Sequence, residues 1–261
     1  LTLSILSLVP PAVIIKMKYK IIITAGGTSE RIDNVRKITN SSSGKLGYTI
    51  ANKLIESHEK QIEKIYYVCS KTSYKPIHDK IEIIEIVDTS DLETTIRKLL
   101  TSNIINYFIH SMAVSDYTVD YVTTAESLAL NIEKNSDKNV LELIKNHNDK
   151  LTDNKISSER EDIIIKLKKT PKIIAIIKNI SPNTYLIGFK LLDNVSKENL
   201  INTAIRLKNK NNCNLVVAND LENIRDGNHK AFIIKKDNDY IVASGKEDIA
   251  EKLIGEMFKN D

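Results

Sequence analysis

The stretch IIITAGGTSERIDNVRKITNSSSGKLG, residues Ile21–Gly47, decides the fold of this chain. It opens with three consecutive isoleucines, which are typical of a strand buried on both faces of a parallel sheet. Gly26-Gly27 follows, where the backbone can turn tightly or approach a ligand because no Cβ is in the way. After a long polar loop, the turn Ser41–Gly44 leads into apolar residues at helical spacing.

A strand, a glycine turn and a helix start capped by serines together predict an anion site, because the first amides of a helix and its dipole attract negative charge. The alternative is a glycine-containing loop without a ligand. The loop does not match GxGxxG, since Thr28-Ser29-Glu30 follows the glycines. It is not a Walker A loop either, because Ser43-Gly44-Lys45 is followed by Leu46. Phosphate binding is therefore predicted at the turn Ser41–Lys45.

The composition narrows the class of protein. With 261 residues and 41% hydrophobic content, the chain can bury one substantial core, in one α/β domain or in one domain plus a subdomain. Charged residues make up 28% and the net charge is +4, but lysines alternate with acidic residues, which argues against a nucleic-acid surface. Cys69 and Cys213 are far apart and lie in apolar runs, which favours free thiols in a reducing cytoplasm. The five histidines lack metal-ligand spacing.

Residues 1–16 are predicted to be an upstream extension outside the fold. They are apolar but too short to span a bilayer, and Pro10-Pro11 interrupts them. They lack the basic leading segment and cleavage site of a secretory signal. Met17 resembles a natural start immediately before the first strand, so residues 17–261 are predicted to form a single domain. The alternative for the leader is association with a membrane.

Apolar runs alternate with helical patterns along the chain, which predicts a Rossmann-like, doubly wound parallel sheet. The predicted strands are Ile21–Ile23, Ile65–Cys69, an edge strand Ile81–Val87, Tyr107–Ile109, Tyr185–Phe189 and Leu215–Ala218. Five helices are predicted. The first spans about Gly44–Ser57, and the second runs through Leu92 and Leu100 after a capping box at Ser90 and Glu93. The third begins at Thr170-Pro171, the fourth spans about Lys197–Asn209, and the fifth runs from Ile249 to Met257.

Two features depart from this alternation. Residues 118–161 are rich in polar side chains and contain one predicted short helix near Val140–Ile144. They are predicted to form a long flap. A strand at Ile163–Leu167 is predicted to follow the flap. Near the C-terminus, Phe232–Lys236 and Tyr240–Ala243 flank a turn sequence and predict a small β-hairpin.

Polar or small residues follow four of the predicted strands, where an open parallel sheet binds its ligands. They are Gly26-Gly27, Ser111–Asp116, Gly188-Phe189-Lys190 and Ala218-Asn219-Asp220. Their convergence predicts a binding site. A short-chain reductase would need a Tyr-xxx-Lys pair on a later helix, and the spacing occurs only at Tyr67 and Lys71, at the end of the second strand. No Ser-His-Asp or Cys-His arrangement stands out, but a reaction based on charge positioning around a nucleotide triphosphate does not require one.

Besides the opening stretch, five motifs follow along the chain: AVSDY at Ala113–Tyr117, KISSE at Lys155–Glu159, LKKTPKI at Leu167–Ile173, GFKLL at Gly188–Leu192 and VANDL at Val217–Leu221. Together these motifs resemble those of phosphopantothenate–cysteine ligases, the enzymes of coenzyme A biosynthesis. The serine form of the flap resembles the monofunctional streptococcal type. The motifs occur in the order of the family and cover the chain from about Lys18 to its end.

The resemblance implies a ligase that joins 4′-phosphopantothenate to L-cysteine. The carboxylate of 4′-phosphopantothenate attacks the α-phosphate of CTP (or ATP), which gives an acyl-nucleotide and pyrophosphate, and the cysteine amine then displaces the nucleoside monophosphate. Mg²⁺ would offset the charge of the triphosphate. The resemblance also implies a cytoplasmic homodimer, with neither nucleic acid nor membrane as a partner, and a separate phosphopantothenoylcysteine decarboxylase for the next step.

Motif positions assign the site residues. Arg36, Asn40 and Lys155 match the positions that orient the acyl intermediate or approach the triphosphate. The nucleotide-binding positions are Gly26, Gly27, Ser42, Ser43, Gly44, Lys45, Ala113, Asp116, Phe189, Lys190, Asn219 and Asp220. Metal ligands are not assigned.

Structural roles are the alternatives at several of these positions: an exposed helix-start lysine at Lys45, a loop brace at Asn40, and core packing at Phe189. Two further functions stay open, a nicotinamide-dependent reductase on the same fold and a non-catalytic nucleotide-binding regulator.

Overall fold

The structure, a computed structural model, describes residues 18–225, 229–236 and 239–259. The predicted extension 1–16, the start at Met17 and Asp237-Asn238 of the hairpin turn lie outside these residues. The strands are β1 (Tyr19–Ala25), β2 (Ser29–Arg31), β3 (Lys37–Thr39), β4 (Ile62–Ser70), β5 (Ile81–Ile86), β6 (Tyr107–His110), β7 (Tyr117–Thr124), β8 (Ile163–Lys169), β9 (Tyr185–Leu192), β10 (Leu215–Asp220), β11 (Lys230–Lys236) and β12 (Asp239–Ser244). The helices are α1 (Lys45–His58), α2 (Thr89–Ser102), α3 (Ala125–Lys134), α4 (Val140–Lys145), α5 (Ile173–Ile180), α6 (Lys197–Lys210), α7 (Leu221–Arg225) and α8 (Gly245–Met257).

The central sheet has eight strands in the order β12-β11-β10-β9-β6-β1-β4-β5. The strands from β10 to β5 are parallel, and β11 and β12 complete the sheet as an antiparallel hairpin. The chain moves outward from β1 to β4 and β5, then returns to the other side of β1 with β6, β9 and β10. This is the Rossmann strand order, and the predicted fold class is confirmed. The direction of winding reverses between β1 and β6, where such sheets bind ligands.

The opening isoleucines form the middle of the core. Ile21, Ile22 and Ile23 are completely buried, as predicted. Because successive side chains of a strand point to opposite faces, Ile21 and Ile23 pack in the cluster that includes residues of α1 and α8, whereas Ile22 packs with residues of α2, α5 and α6. Each buried isoleucine contributes about 1.5–3 kcal/mol relative to an exposed one. Helices therefore cover both faces of the sheet.

The predicted flap contains more regular structure than its composition indicates. β7 and β8 form an antiparallel ribbon, and α3 and α4 follow β7. The prediction that residues 118–161 contain only one short helix was therefore wrong. The polar composition obscured β7 because only Tyr121, Val122 and Thr123 of its eight residues are buried. Thr124 caps α3 by accepting a hydrogen bond from the amide of Ser127, a local cap that lies inside the polar stretch.

Three helix starts differ from their predictions. The N-cap of α1 is Gly44, with φ 70°, and no side chain among the described residues caps it, so the predicted serine cap is absent. The N-cap of α2 is Asp88, whose carboxylate accepts from the amide of Asp91, and not Ser90. The N-cap of α5 is Lys172, so Pro171 precedes the helix. Residues able to cap occur at neighbouring positions, and tertiary contacts decide which one is used.

A short hairpin and a buried carboxylate hold the loop between β1 and α1 in place. β2 and β3 pair in antiparallel fashion within this loop. Glu30, 4% exposed, accepts hydrogen bonds from the amide and the hydroxyl of Thr89 at 3.1 and 2.7 Å. Since Thr89 opens α2, the carboxylate lies at the positive end of that helix. Within the described ranges, no helix has the length and apolar character needed to cross a membrane.

Candidate functional site

The loops that follow β1 and β6 are joined where the sheet reverses its winding. The amide of Thr28 donates to the carbonyl of Ala113 at 3.2 Å, and the amide of Ala113 donates to the carbonyl of Gly26 at 2.8 Å. The amide of Ser115 donates to the hydroxyl of Thr28 at 2.9 Å. The predicted glycine turn and the AVSDY motif thus form one continuous wall at the carboxyl ends of the strands.

Two glycines allow a close approach of backbone segments. A Cβ on Gly27 would lie 2.0 Å from the carbonyl oxygen of Asn40, closer than real atoms approach. Gly44 has φ 70°, and a Cβ there would lie 3.0 Å from the amide nitrogen of Gly26. Any side chain at position 27 would therefore push away the segment that carries Asn40.

The start of α1 is open toward ligand. The hydroxyls of Ser42 and Ser43 lie 3.5 and 3.4 Å from the amides of Gly44 and Lys45, so they brace the turn before the helix. No side chain caps the helix N-terminus. Among the described residues, the amides of Leu46 and Gly47 have no other hydrogen-bond partner, so they are available to an anion, which the helix dipole also favours.

A cavity of about 550 Å³ opens above the strand ends. Its size suits a nucleotide-sized molecule. The predicted binding residues that line it are Ser42, Ser43, Gly44, Lys45, Ala113, Asp116, Phe189, Lys190 and Asn219. The predicted residues outside its lining are Gly26, Gly27, Asp220, Arg36, Asn40 and Lys155.

The cavity is electropositive. Lys45, Lys172, Lys190 and Lys246 line it, and Asp116 is the one carboxylate among the described residues of its lining. Lys172 forms an ion pair with Asp116, and both side chains are almost two-thirds exposed. An exposed pair of this kind is weak and can open without large cost. A net excess of positive charge in a concave site attracts a polyanion.

Asp220 has a different environment from the other predicted nucleotide residues. It is 3% exposed, and its carboxylate accepts hydrogen bonds from the amides of Asn194, Val195 and Glu222 at 3.0–3.1 Å. These hydrogen bonds, chiefly that from Val195, hold the pKa of the carboxyl below its ordinary value. In this arrangement Asp220 braces the loop after β9.

The loop before α1 carries the predicted catalytic residues Arg36 and Asn40, and it is bonded to the flap segment that carries the third, Lys155. The buried carboxylate of Asp33 accepts from the amides of Val35 and Arg36 at 2.8 and 2.7 Å and from the amide of Ile156 at 3.1 Å. The guanidinium of Arg36 donates to Asp33 at 2.7 Å and to the carbonyl of Ile156. We call the group Asp33, Arg36 and Ile156 the flap clasp.

The clasp brings Lys155 beside Arg36. The amide of Asn34 donates to the carbonyl of Asn154 at 3.0 Å, so the residues on both sides of Lys155 are bonded to the loop. Lys155 itself is exposed. Asn40 is held by its amide, which donates to the carbonyl of Thr28 at 3.2 Å. The loop thus carries two of the predicted catalytic residues and binds the segment that carries the third.

Two histidines of the cavity were not among the predicted site residues. His110 ends β6, is 8% exposed and accompanies Thr24 on the neighbouring strand. Nε2 of His229 lies 3.0 Å from the side-chain nitrogen Nδ2 of Asn219, and burial lowers the pKa of His229. The position of His110 directly after an apolar strand was the signal that could have identified it. His229 gave no local signal, because only the tertiary fold places it against β10.

Metal-binding residues were left unassigned from the sequence. Among the described residues, no group of three or more His, Cys, Asp or Glu side chains is placed to bind a metal ion. Mg²⁺ commonly binds through substrate phosphates, water and only one or two carboxylates. The single carboxylate of Asp116 beside a site for polyanions fits that mode of binding.

The chain is similar to proteins of coenzyme A biosynthesis along almost its whole length. The family profile DFP, described as DNA/pantothenate metabolism flavoprotein C-terminal domain, matches residues 17–149 and 147–260. The coenzyme A biosynthesis bifunctional protein CoaBC of Methanocaldococcus jannaschii is 28% identical over 252 residues, which are 92% of this chain and 50% of that protein. CoaBC of Thermococcus kodakarensis is 28% identical over 241 residues, with 92% and 51% covered.

The chain therefore spans about half the length of the curated relatives it matches. The crystal structure of the DNA/pantothenate metabolism flavoprotein from Streptococcus pneumoniae matches with a TM-score of 0.79 and 37% identity. The match covers 93% of this chain and 100% of that one. These similarities confirm the family resemblance predicted from the motifs.

Proposed function

The chain belongs to the family of the DNA/pantothenate metabolism flavoprotein C-terminal domain, and on this premise we propose that it is a phosphopantothenate–cysteine ligase. It joins 4′-phosphopantothenate to L-cysteine in coenzyme A biosynthesis. The observation that carries the proposal is an electropositive cavity beside the uncapped start of α1. The glycine turn next to it packs, through Gly27, against the segment that carries Asn40.

The reaction proceeds in two displacements. A carboxylate oxygen of 4′-phosphopantothenate attacks the α-phosphorus of the nucleotide, the bond to the β-phosphate breaks, and pyrophosphate leaves. The neutral amine of cysteine then attacks the acyl carbon of the acyl-nucleotide. The bond from carbon to the phosphate oxygen breaks, so nucleoside monophosphate leaves, and the amine loses a proton as the amide forms.

The chain supplies positive charge and orientation for the first displacement. The free amides at the start of α1 and the ammonium group of Lys45 hold the triphosphate. Charge on the pyrophosphate grows as it leaves, so donors already in place lower the barrier. Gly26 and Gly27 bring the backbone of the turn close to the phosphates, and Asn40 lies against Gly27.

The substrate carboxylate and the acyl-nucleotide are bound by Arg36, Asn40 and Lys155. The side-chain amide of Asn40 orients the carboxylate and then the acyl-nucleotide. Lys155 reaches the phosphates from the flap. Arg36 fixes the flap through the clasp and supplies positive charge beside the carboxylate. Holding two reactants in one orientation typically lowers the activation free energy of an enzymatic reaction by several kcal/mol.

The nucleoside occupies the part of the cavity formed by Asp116, Phe189, Lys190 and Asn219. CTP is the proposed nucleotide and ATP the second choice. Mg²⁺ would bind the phosphate oxygens with Asp116 as a carboxylate ligand and would neutralise part of their charge.

The proposal includes a homodimer in the cytoplasm. Apolar side chains are exposed on β3 and on the β7–β8 ribbon, namely Ile38, Tyr117 and Leu167. A second copy of the chain would cover them, because exposed apolar patches commonly mark interfaces. A separate phosphopantothenoylcysteine decarboxylase would consume the product.

The alternative of a nicotinamide-dependent reductase finds no support at its expected residues. Tyr67, which has the Tyr-xxx-Lys spacing, is completely buried and donates its hydroxyl to the carbonyl of Tyr74 at 3.1 Å. Desolvation raises its pKa, so it cannot readily give up a proton. The acidic residue that binds the adenosine ribose of NAD would follow β4, where Ser70 and Lys71 stand.

Turnover with the two nucleotides tests the proposal. Purified protein with Mg²⁺, 4′-phosphopantothenate, cysteine and either CTP or ATP should form phosphopantothenoylcysteine, pyrophosphate and nucleoside monophosphate in equal amounts. Chromatography of the products and a pyrophosphate assay measure them. Absence of the amide with both nucleotides would contradict the proposal.

A further inference from the structure

His110 is a buried imidazole at the point where the sheet reverses its winding. It is the last residue of β6 and pairs with Thr24 of β1 on one side and with Gly188 of β9 on the other. The residue is 8% exposed and lines the cavity. The ligase chemistry described above does not use it.

The protons of His110 and Thr24 can be assigned from their hydrogen bonds. The hydroxyl oxygen of Thr24 lies 2.8 Å from Nδ1 of His110 and also accepts from the amide of Met112 at 3.3 Å. Among the described residues, Nδ1 of His110 is the one acceptor within reach of the hydroxyl proton. The hydroxyl therefore donates to Nδ1, and the ring proton resides on Nε2.

The Nε2–H group of His110 faces the cavity. Within the described part of the chain, Nε2 has no hydrogen-bond partner, and it is not one of the three side-chain atoms that are fully buried and unpartnered. The exposed fraction of the ring thus includes this atom. Burial lowers the pKa of His110 to about 4, so the imidazole is neutral at pH 7 and acts as a hydrogen-bond donor.

The surroundings of His110 differ from those of the phosphate turn. His110 lies on the same face of the sheet as Phe108, whose ring centroid is 5.9 Å away. Phe108 packs in the cluster with Met112 and Ile173, opposite the cluster of α1. A neutral donor among apolar side chains suits a neutral oxygen better than a phosphate, because a charge would be desolvated there.

We propose that His110 binds the nucleoside, its Nε2–H donating a hydrogen bond to a neutral oxygen of the base or the ribose. Thr24 is a positioning residue that keeps the ring proton on Nε2. The inference rests on the proposed function, in which a nucleotide occupies this cavity. It assigns to the apolar face of the site a donor that the family motifs do not include.

Calorimetric titration with CTP, ATP and inorganic tripolyphosphate tests the role of His110. His110→Phe keeps the ring and removes the donor, so it should weaken CTP binding about 10-fold, the value of one hydrogen bond of roughly 1.4 kcal/mol. Binding of tripolyphosphate should stay within about twofold, since the phosphates lie on the other face. His110→Gln, which restores a donor, should recover part of the affinity for CTP.

Comparison of CTP with ATP shows whether His110 donates to an oxygen of the base or to an oxygen of the ribose. A loss for CTP alone identifies the base carbonyl, which adenine lacks, and an equal loss for CTP and ATP identifies the ribose. Unchanged CTP binding, or an equal loss for tripolyphosphate, would overturn the proposal. A wild-type protein that binds no nucleotide would overturn the proposed function together with this inference.

The tautomer supplies a test that does not depend on folding of His110→Phe. Nitrogen NMR of histidine-labelled wild-type protein should show the proton on Nε2 at pH 7, whereas Thr24→Val should release this preference and weaken CTP binding. A proton on Nδ1 in the wild-type protein would contradict the assignment.

Discussion

The carboxylate of Asp33 accepts a hydrogen bond from the amide of Ile156 at 3.1 Å across 123 residues of sequence. This contact, with the bond from Arg36 to the carbonyl of Ile156, holds the flap against the loop before α1. Lys155 precedes Ile156 and is thereby held beside the loop that carries Arg36 and Asn40. The clasp thus fixes the flap segment of Lys155 to the loop of the other two proposed catalytic residues.

Asp33→Asn should loosen the clasp and lower turnover by on the order of 10- to 100-fold, because a small misplacement of reacting groups is costly. Hydrogen exchange at Ile156 should become faster while the central sheet keeps its protection. Asp153→Asn is the matched control, since its ion pair with Arg160 is exposed and contributes little. Equal loss of turnover in both variants would contradict a specific role for the clasp.

The hydrogen bonds of the flap clasp should also persist at acidic pH. Hydrogen bonds from the amides of Arg36, Val35 and Ile156 hold the pKa of Asp33 far below its ordinary value. Because the pKa of Asp33 is lower in the folded protein than in the unfolded chain, its carboxylate stabilises the fold fully at pH values above the unfolded pKa of about 3.9. This stabilisation is lost only as the pH falls from there toward the pKa of the folded protein. Exchange protection at Ile156 should therefore persist at pH 4. Its loss between pH 6 and pH 5 would contradict the assignment.

Asn40→Ala should lower kcat/KM by about 100-fold, the usual effect of removing a donor that orients a developing charge. The thermal midpoint should change by only a few degrees, because the loop is also held by backbone bonds such as that from the amide of Asn40 to Thr28. Calorimetry and initial rates check the two effects. A large loss of stability would favour the alternative that Asn40 only braces its loop.

Gly27→Ala and Gly255→Ala compare a glycine in contact with one in open space. A Cβ at position 27 would lie 2.0 Å from the carbonyl of Asn40, so this variant should lose about 1–3 kcal/mol of unfolding free energy and most of its turnover. A Cβ at position 255, within α8, meets no described atom within 4 Å, so this variant should gain about 0.5–1 kcal/mol of unfolding free energy. Similar denaturant midpoints for the two variants would refute the close approach.

Both cysteines should be inert in the folded protein. Cys69 and Cys213 are buried free thiols, and burial raises the pKa of each to about 11. Because the thiolate is the reactive form, iodoacetamide at pH 8 should label neither until the protein unfolds. Mass spectrometry of native and denatured samples measures the labelling. Rapid modification of the native protein would show that a thiol is accessible.

Periodicity predicted the middle of the central sheet because strands such as β1, β6 and β10 are buried on both faces. Ile21, Ile22 and Ile23 contribute to opposite layers of the core, so the run has no polar interruption to hide it. β7 was missed for the opposite reason, since only three of its eight residues are buried and Thr118, Asp120, Thr123 and Thr124 interrupt its apolar residues. The cap of α1 was wrong because Gly44 occupies the position that a serine would need.

The site was predictable where strand order alone brings residues together, as with Gly27 and Ala113 at the reversal of winding. The clasp was not predictable, because nothing near Asp33 in sequence indicates Ile156 as its partner. The same holds for His229, which meets Asn219 only after β11 joins the sheet. The roles of Arg36, Asn40 and Lys155 stay predictions from the family motifs.

Transfer of ¹⁸O from the carboxylate of labelled 4′-phosphopantothenate tests the ligase account most directly. If the carboxylate attacks the α-phosphorus of CTP, one labelled oxygen must appear in CMP and the other must stay in the amide of the product. Mass spectrometry of both products after one turnover measures this. Label in inorganic phosphate with release of CDP, or no label in any nucleotide, would contradict the acyl-nucleotide reaction proposed for this site.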